Sequence, residues 1–220
     1  MRDTYQTIRG DGQSEIEIKK SRFITSLKRV YSEEEAKAFI AGLKKEHWKA
    51  NHNCSAYLIG DNSEIQRSSD DGEPSGTAGV PMLEVLKKNQ LVNVCVVVTR
   101  YFGGTKLGAG GLIRAYSHAV SQGLKDIGLV IGKLQQELRL TIDYSLLGKL
   151  QNFLDNDWFT KDTSFAEKVT VVCLIDEDKT ALFEAAVIDL LSGQVTIDVG
   201  PTSYQELPLE TAKEELFLED

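Results

Sequence analysis

The chain has 220 residues, 41% hydrophobic and 26% charged, which fits one large or two small globular domains and excludes disordered, collagen-like and coiled-coil chains. No apolar run approaches the roughly 18 residues of a membrane span, and no apolar signal-peptide core is predicted at the N-terminus. The net charge of −8 is uneven: residues 1–134 contain 19 basic and 15 acidic residues (+4), whereas residues 135–220 contain 6 and 18 (−12). A basic first part can approach phosphate and an acidic second part repels it, although an acidic surface also simply favours solubility.

Seven strand and helix segments are predicted in the first part of the chain. Ile16 and Ile18 alternate with glutamates, which indicates a half-exposed strand, and Ser32 with Glu35 forms a capping box that starts a helix. The predicted order is strand structure within 14–30, a helix from 32 to about 43, strands at 54–59 and 64–68, a helix at 82–88, a strand at 92–98 and a helix at 112–126.

The second part predicts the order β-α-β-β-α-β, the split-βαβ pattern of ferredoxin-like domains. Apolar residues alternate at 138–142, 169–175 and 195–199, and helical spacing is present at 146–154 and 182–191. A further strand is expected at 159–164, and Pro201 is expected to end the last strand. The domain boundary is predicted near Gly132–Leu134, and residues 209–220 form an acidic tail.

The cysteines and histidines do not indicate a metal or nucleophilic site. Cys54, Cys95 and Cys173 each lie in an apolar, strand-like run and are interpreted as small buried residues. There is no CxxC pair and no Cys/His cluster, so zinc is not predicted and a reduced, cytosolic chain fits best. His52 and Cys54 share a strand face, but no acid partner is visible, so Cys–His catalysis is disfavoured.

A glycine-rich segment, Gly103–Gly111, follows the predicted central strand and precedes a helix. Such a segment lets backbone N–H groups converge on an anion, and cationic side chains flank it. The candidate phosphate contacts are Arg100, Tyr101, Phe102, Gly103, Gly104, Lys106, Gly108, Gly110, Gly111 and Arg114, with the two aromatic rings available for stacking. No nucleotide-binding motif matches, and a connection whose glycines serve packing alone is the alternative.

An acidic segment, Asp70–Gly79, contains three carboxylates in four residues. Asp70, Asp71 and Glu73 could hold Mg²⁺ or supply a base, or the segment could be a turn with a helix N-cap near Ser75 or Thr77. The turn is favoured for the individual carboxylates, and no resident metal or cofactor is predicted. We expect the two segments to lie side by side, with Arg100 or Arg114 bonded to one of the carboxylates.

Two long runs carry a family resemblance. The stretch Ser69–Leu83, which contains Asp70, Asp71, Glu73, Pro74, Ser75, Gly76 and Thr77, and the stretch from Thr99 to Tyr116 resemble the IMPACT (YigZ-type) family. The resemblance covers about residues 15–130 strongly, and the remainder resembles the smaller C-terminal domain of bacterial members. It implies an α+β fold with a ribosomal protein S5 domain 2-like domain at 1–133 and a ferredoxin-like domain at 134–208, an arrangement similar to domains IV and V of the ribosomal translocase.

The resemblance also implies a function, because eukaryotic members are translation regulators that compete with a stress kinase for a ribosome-associated activator. The leading hypothesis is therefore a non-catalytic cytosolic regulator that binds RNA, the ribosome or a ribosome-associated protein through the glycine-rich segment. The alternative is a phosphate- or nucleotide-binding enzyme that uses both segments. A third possibility is an adaptor that docks a basic partner on the acidic second part.

Overall fold

The computed structural model describes residues 4–209, apart from the side chains of residues 156 and 157. The chain divides into two compact units, whose main parts are Tyr5–Ile131 and Gly132–Glu206. Both units combine helices with antiparallel strands, so the fold is two-domain α+β. The predicted acidic tail beyond residue 209 lies outside the described residues.

The first unit is a five-stranded sheet with three helices. Its elements are β1 (Thr4–Ile8), β2 (Gly12–Ile18), β3 (Ser21–Arg29), α1 (Glu33–Glu46), β4 (His52–Ile59), β5 (Ile65–Ser69), α2 (Gly79–Lys88), β6 (Val94–Tyr101) and α3 (Ala109–Ile127). The strand order is β2-β3-β6-β4-β5, and all four pairings are antiparallel. β5 and β6 therefore end at the same edge of the sheet, which is where the acidic and glycine-rich segments begin.

Both faces of β6 are covered, as its run of β-branched residues predicts. Val96 and Val98 belong to the main core with residues of α2 and α3, whereas Cys95 packs with Ala36 of α1 in a smaller cluster on the opposite face. The predicted capping box is present, because Ser32 Oγ accepts a hydrogen bond from the backbone N–H of Glu35. The apolar face of α3 packs against the sheet, and the glycine-rich segment leads into the N-terminus of this helix.

The second unit has the predicted β-α-β-β-α-β order. Its elements are β7 (Leu129–Ile142), which starts in the first unit, α4 (Leu147–Asp157), β8 (Phe159–Phe165), β9 (Val169–Asp176), α5 (Thr180–Leu190) and β10 (Thr196–Pro208). β7 pairs with both β9 and β10, and β9 pairs with β8; β1 also pairs with β7 and completes this five-stranded sheet. Alternating residues of β7 and β9 form a core with α4 and α5, including Leu138, Val171 and Phe183.

Two features differ from the sequence expectation. β1 was not predicted; it is fixed to the chain before β6, where Thr7 Oγ1 donates to Val92 O. The prediction that Pro201 ends the last strand is wrong, because β10 continues to Pro208. Among the described strands β10 pairs only with β7, and an edge strand tolerates residues that lack an N–H.

Candidate functional site

Arg100 at the end of β6 forms a buried ion pair with Glu73 of the acidic segment. Arg100 Nη1 donates to Glu73 Oε1 at 2.6 Å, and the two side chains are only 6% and 4% exposed. Arg100 Nη2 lies 3.4 Å from Ser21 Oγ, and its Nε has no partner among the residues that the structure describes. The expected bond between the two segments is therefore confirmed, and it is fully enclosed by protein.

Tyr116 and Cys54 complete this enclosed group, which we call the Glu73 cluster (Glu73, Arg100, Tyr116 and Cys54). The Tyr116 hydroxyl donates to the same Oε1 atom of Glu73 at 2.8 Å. Cys54 Sγ lies 3.4 Å from the Tyr116 hydroxyl and 3.0 Å from Asp70 O. Burial raises the pKa of the Tyr116 hydroxyl, and it raises the pKa of Cys54 to about 12, so neither group ionises near neutral pH.

Cys54 is consequently an unsuitable nucleophile, because only the thiolate attacks. His52 does not activate it: His52 Nδ1 donates to Asp71 O at 2.9 Å, and its Nε2 faces Glu73 Oε2 at 3.8 Å. The buried thiols of Cys95 and Cys173 have pKa values raised by burial to about 12 as well. The interpretation of the cysteines as small buried residues is confirmed.

Asp70 organises the acidic segment as a cap. Its carboxylate accepts backbone N–H bonds from Gly76 at 2.8 Å, Ala78 at 3.0 Å and Gly79 at 2.8 Å. Burial by itself would raise the pKa of Asp70, but the three N–H donors outweigh it and the pKa is lowered. The expected N-cap near Ser75 or Thr77 is wrong, because the residue before α2 is Ala78 and the cap is supplied from eight residues upstream.

Asp71 and Thr77 are also engaged within the protein. Asp71 accepts a bond from Lys44 Nζ at 2.5 Å and one from the Asn53 N–H at 2.6 Å. Burial alone would raise the pKa of Asp71, but these two donors lower it below its ordinary value. Thr77 Oγ1 donates to Pro74 O at 2.6 Å, which closes the turn. These bonds make the acidic segment an ordered turn. Among the described residues no group of three metal-binding side chains occurs.

The glycine-rich segment needs glycine at two positions for different reasons. A Cβ at Gly103 would lie 1.8 Å from Lys20 O, so only glycine lets the segment pack against the turn between β2 and β3. Gly108 precedes α3 with a φ of +69°, a left-handed conformation that other residues adopt at a cost. The helix then begins earlier than predicted, so Gly110 and Gly111 lie in its first turn.

Lys106 and Arg114 are exposed and have no ion-pair partner among residues 4–209. Arg114 borders an open groove of about 310 Å³, to which the β2–β3 turn contributes Lys19 and α3 contributes His118. The floor of the groove is apolar and is formed by Ile18, Leu107 and Ala115. Cationic groups thus surround a small apolar surface beside the glycine-rich segment.

The structure removes two residues from the predicted set of phosphate contacts. Arg100 is 5% exposed and neutralised by Glu73, so it cannot reach an external phosphate. Tyr101 is held internally, because its hydroxyl lies 3.0 Å from His47 Nδ1 and the guanidinium of Arg22 lies 5.6 Å from its ring centroid. The guanidinium of Arg100 lies 5.6 Å from the centroid of the Phe102 ring, but Phe102 remains 44% exposed and its uncovered part is available for stacking.

Lys19, Lys20 and Tyr116 were missed by the sequence interpretation. Lys19 and Lys20 both have positive φ values, +47° and +66°, as the central residues of a tight hairpin turn do. A two-residue turn between two alternating strands was a sequence signal for this hairpin. The contact of the turn with Gly103 joins distant parts of the chain, so no local pattern indicates it. Tyr116 lies within the predicted helix, and no local pattern distinguishes it from an ordinary core residue.

Two protein-family models match the sequence of this chain. The Impact N-terminal domain model matches residues 19–124, and the Domain of unknown function (DUF1949) model matches residues 140–194. No helix of the described residues is long and apolar enough to cross a membrane.

Three similar proteins cover most of the chain. The IMPACT family member YvyE of Bacillus subtilis is 49% identical over 97% of this chain and 99% of its own. The IMPACT family member YigZ of Escherichia coli is 36% identical over 82% of this chain and 90% of its own. A crystal structure described as that of a hypothetical protein is 34% identical, covers 90% of this chain and 97% of its own, and has a TM-score of 0.57. The chain therefore belongs to the IMPACT family, and it carries both the N-terminal domain and the DUF1949 domain of the bacterial members.

Proposed function

We propose that this protein is a cytoplasmic, non-catalytic regulator of translation that binds RNA or ribosomes through the glycine-rich segment. The observation that carries the proposal is that Lys106 and Arg114 are exposed with no ion-pair partner within residues 4–209, whereas every carboxylate of the neighbouring acidic segment is bonded within the protein. Family membership supports the link to translation, as the resemblance of the signature runs implies.

The proposal includes a specific fold for each of the two domains. The strand order β10-β7-β9-β8 with two helices on one face supports a ferredoxin-like second domain. The antiparallel sheet of the first unit, with α2 and α3 on one face, supports an S5 domain 2-like first domain. The proposed boundaries are 1–133 and 134–208, and the pairing supports an arrangement like that of translocase domains IV and V.

Charge determines which part of the chain contacts the nucleic acid. Residues 135–220 carry a net charge of −12 and repel phosphate, whereas residues 1–134 carry +4. Lys19 and Lys20 of the β2–β3 turn add two cations beside the glycine-rich segment, because that turn packs against Gly103. The proposed contact set is therefore Lys19, Lys20, Lys106 and Arg114, together with the backbone of Gly104, Gly108, Gly110 and Gly111; the N–H of Gly103 is already bonded to Ser21 Oγ at 3.2 Å.

The test is RNA binding and ribosome co-sedimentation at two salt concentrations. Because each phosphate contact releases counterions, the affinity for single-stranded RNA should fall steeply between about 50 and 200 mM salt. A matched control is the double variant Lys37→Ala/Lys88→Ala, which removes two exposed cations without touching the segment. Absence of salt-sensitive binding to both RNA and ribosomes would remove the proposal.

The groove beside Arg114 favours one second candidate, a site for a small phosphorylated molecule. Its volume of about 310 Å³ is at the lower end of the range for small-molecule sites, and three basic side chains border an apolar floor. Such a site would hold the apolar part of a ligand on Leu107 and its phosphate on Lys19 or Arg114. A thermal shift with inorganic phosphate and with nucleotides, each with and without Mg²⁺, separates the two functions, because a nucleotide-specific shift would favour the second.

A further inference from the structure

Trp48 is the most exposed aromatic side chain among the large hydrophobic residues of the described chain. Its side chain is 73% exposed, in the short turn that follows α1. The ammonium group of Lys49 lies 5.0 Å from the centroid of its ring, so one part of the indole already contacts a cation. An indole in this position carries a large apolar surface that no part of the described protein covers.

The turn that carries Trp48 is fixed to the start of the glycine-rich segment by three hydrogen bonds. His47 Nδ1 pairs with the Tyr101 hydroxyl at 3.0 Å, the Asn51 N–H donates to Arg100 O at 2.9 Å, and the Phe102 N–H donates to Asn51 Oδ1 at 2.8 Å. These bonds place Trp48 at the same edge of the sheet as Phe102. Two exposed aromatic side chains, 73% and 44% exposed, therefore occur at the edge where the glycine-rich segment leaves β6.

Each aromatic side chain has a cation beside its ring, Lys49 at 5.0 Å from the Trp48 centroid and Arg100 at 5.6 Å from the Phe102 centroid. Lys45 and Lys49 flank Trp48 in the sequence, and Lys20 and Lys106 belong to the two turns beside Phe102. None of these four lysines has an ion-pair partner in the part of the chain that the structure describes. Of the nearby carboxylates, Asp71 is bonded to Lys44, Glu73 is bonded to Arg100, and Glu46 lies 3.8 Å from His47 Nε2.

We propose that Trp48 and Phe102 are stacking platforms for the bases of single-stranded RNA, whose backbone follows the lysines between them. This inference rests on the proposed RNA-binding function and names the form of nucleic acid. Aromatic rings set in a basic surface bind single strands without sequence readout, since every base has a π-face. A protein partner is disfavoured because interface hot spots cluster in a desolvated apolar core, whereas Trp48 is surrounded by lysines.

Duplex RNA does not fit this surface. The bases of a duplex are stacked on one another and are read through its grooves and backbone, so an exposed indole contributes little to duplex binding. The proposal therefore predicts two separable contributions to single-strand affinity. Trp48 and Phe102 contribute a stacking part that does not depend on salt, and the lysines contribute a phosphate part that does.

The experiment measures the binding of a labelled single-stranded RNA of roughly a dozen nucleotides at several salt concentrations. Trp48→Ala should weaken binding about 5- to 150-fold, the equivalent of about 1–3 kcal/mol for one stacked base, and should leave the salt slope unchanged. Trp48→Phe should restore most of the affinity. Tyr31→Ala, which removes a 64% exposed ring before the start of α1, is the matched control and should bind as the unsubstituted protein does.

A second readout follows Trp48 directly. The chain has two tryptophans, and the ring centroid of Trp158 lies 4.8 Å from that of Phe183 inside the second unit, so Trp158→Phe leaves Trp48 as the single tryptophan, whose emission can be excited selectively over that of the tyrosines. Single-stranded RNA should quench its emission, and the matching duplex should not. If Trp48→Ala binds normally while Lys106→Ala/Arg114→Ala binds weakly, this inference fails and the proposed function stands. A preference for duplex RNA also overturns it, and absence of any RNA binding overturns both.

Discussion

The acidic and glycine-rich segments leave the same edge of one sheet, but the carboxylates of the first are bonded within the protein and the lysine of the second is exposed. In the acidic segment, Asp70 binds three backbone N–H groups, Asp71 binds Lys44 and Glu73 binds Arg100. In the glycine-rich segment, Lys106 is exposed with no ion-pair partner among the described residues. Charges that are paired inside the protein stabilise the fold, and only the unpaired ones are available for a ligand. The carboxylates of the acidic segment therefore stabilise the fold, together with Arg100 and Tyr116 of the second family run.

The largest effect should follow from breaking the buried pair. Arg100→Ala leaves Glu73 as an uncompensated buried carboxylate and should lower the free energy of unfolding by about 3–5 kcal/mol. Urea unfolding of Arg100→Ala beside Lys106→Ala measures this, and the exposed lysine should change the stability by less than about 0.5 kcal/mol. Similar costs for the two variants would contradict the division between the segments.

A smaller loss is expected from the Tyr116 hydroxyl. Tyr116→Phe keeps the ring, which packs edge-on against Phe23 at 5.4 Å, and removes the hydrogen bond to Glu73 together with the weaker contact to Cys54 Sγ. Since that bond has a charged acceptor, the variant should be destabilised by about 1.5–3 kcal/mol. Equilibrium unfolding measures it, and Tyr144→Phe, which loses an exposed bond to Ala166 O, is the control. An unchanged stability would show that Glu73 does not depend on Tyr116.

Asp70 should make stability depend on pH in the acid range. Its pKa is below the ordinary 3.8 in the folded state, so the unfolded state binds the proton more tightly. The stabilisation is thus complete above the unfolded pKa and is lost as the pH falls through the lower folded pKa. Asp70→Asn should cost about 1 kcal/mol at neutral pH. Between pH 5 and pH 2, its unfolding free energy should fall less steeply than that of the unsubstituted protein; parallel curves would be the contrary result.

The smallest effect concerns thiol chemistry. Because burial raises the pKa values of Cys54, Cys95 and Cys173 to about 12, all three thiols should react with an alkylating reagent only as fast as the protein opens. Mass spectrometry at pH 8 checks this, with urea-unfolded protein as the fully reactive control. Rapid native modification of Cys54 alone would revive a nucleophilic role beside His52.

Local patterns predicted most of the fold and only part of the site. Alternating apolar residues identify β2, and apolar residues at helical spacing identify α1. The order of elements in the second unit follows from the spacing of its apolar residues alone. The sequence predicted that the two segments lie close together, because β5 and β6 end at the same edge of the sheet. It did not predict which of the charged side chains is buried. Arg100 and Arg114 look alike in the sequence, and only the packing of Glu73 and Tyr116 around one of them separates a structural residue from an exposed one.

The most direct test of this division is the salt dependence of single-stranded RNA binding by Lys106→Ala/Arg114→Ala. Each lost phosphate contact lowers the slope of log K against log salt by about 0.7, so the double variant should lose about 1.4 while keeping its stability. Lys37→Ala/Lys88→Ala, with the same change in net charge, should keep the slope of the unsubstituted protein. An unchanged salt slope in Lys106→Ala/Arg114→Ala, or an equal loss of slope in both double variants, would contradict the assignment of the glycine-rich segment as the binding site.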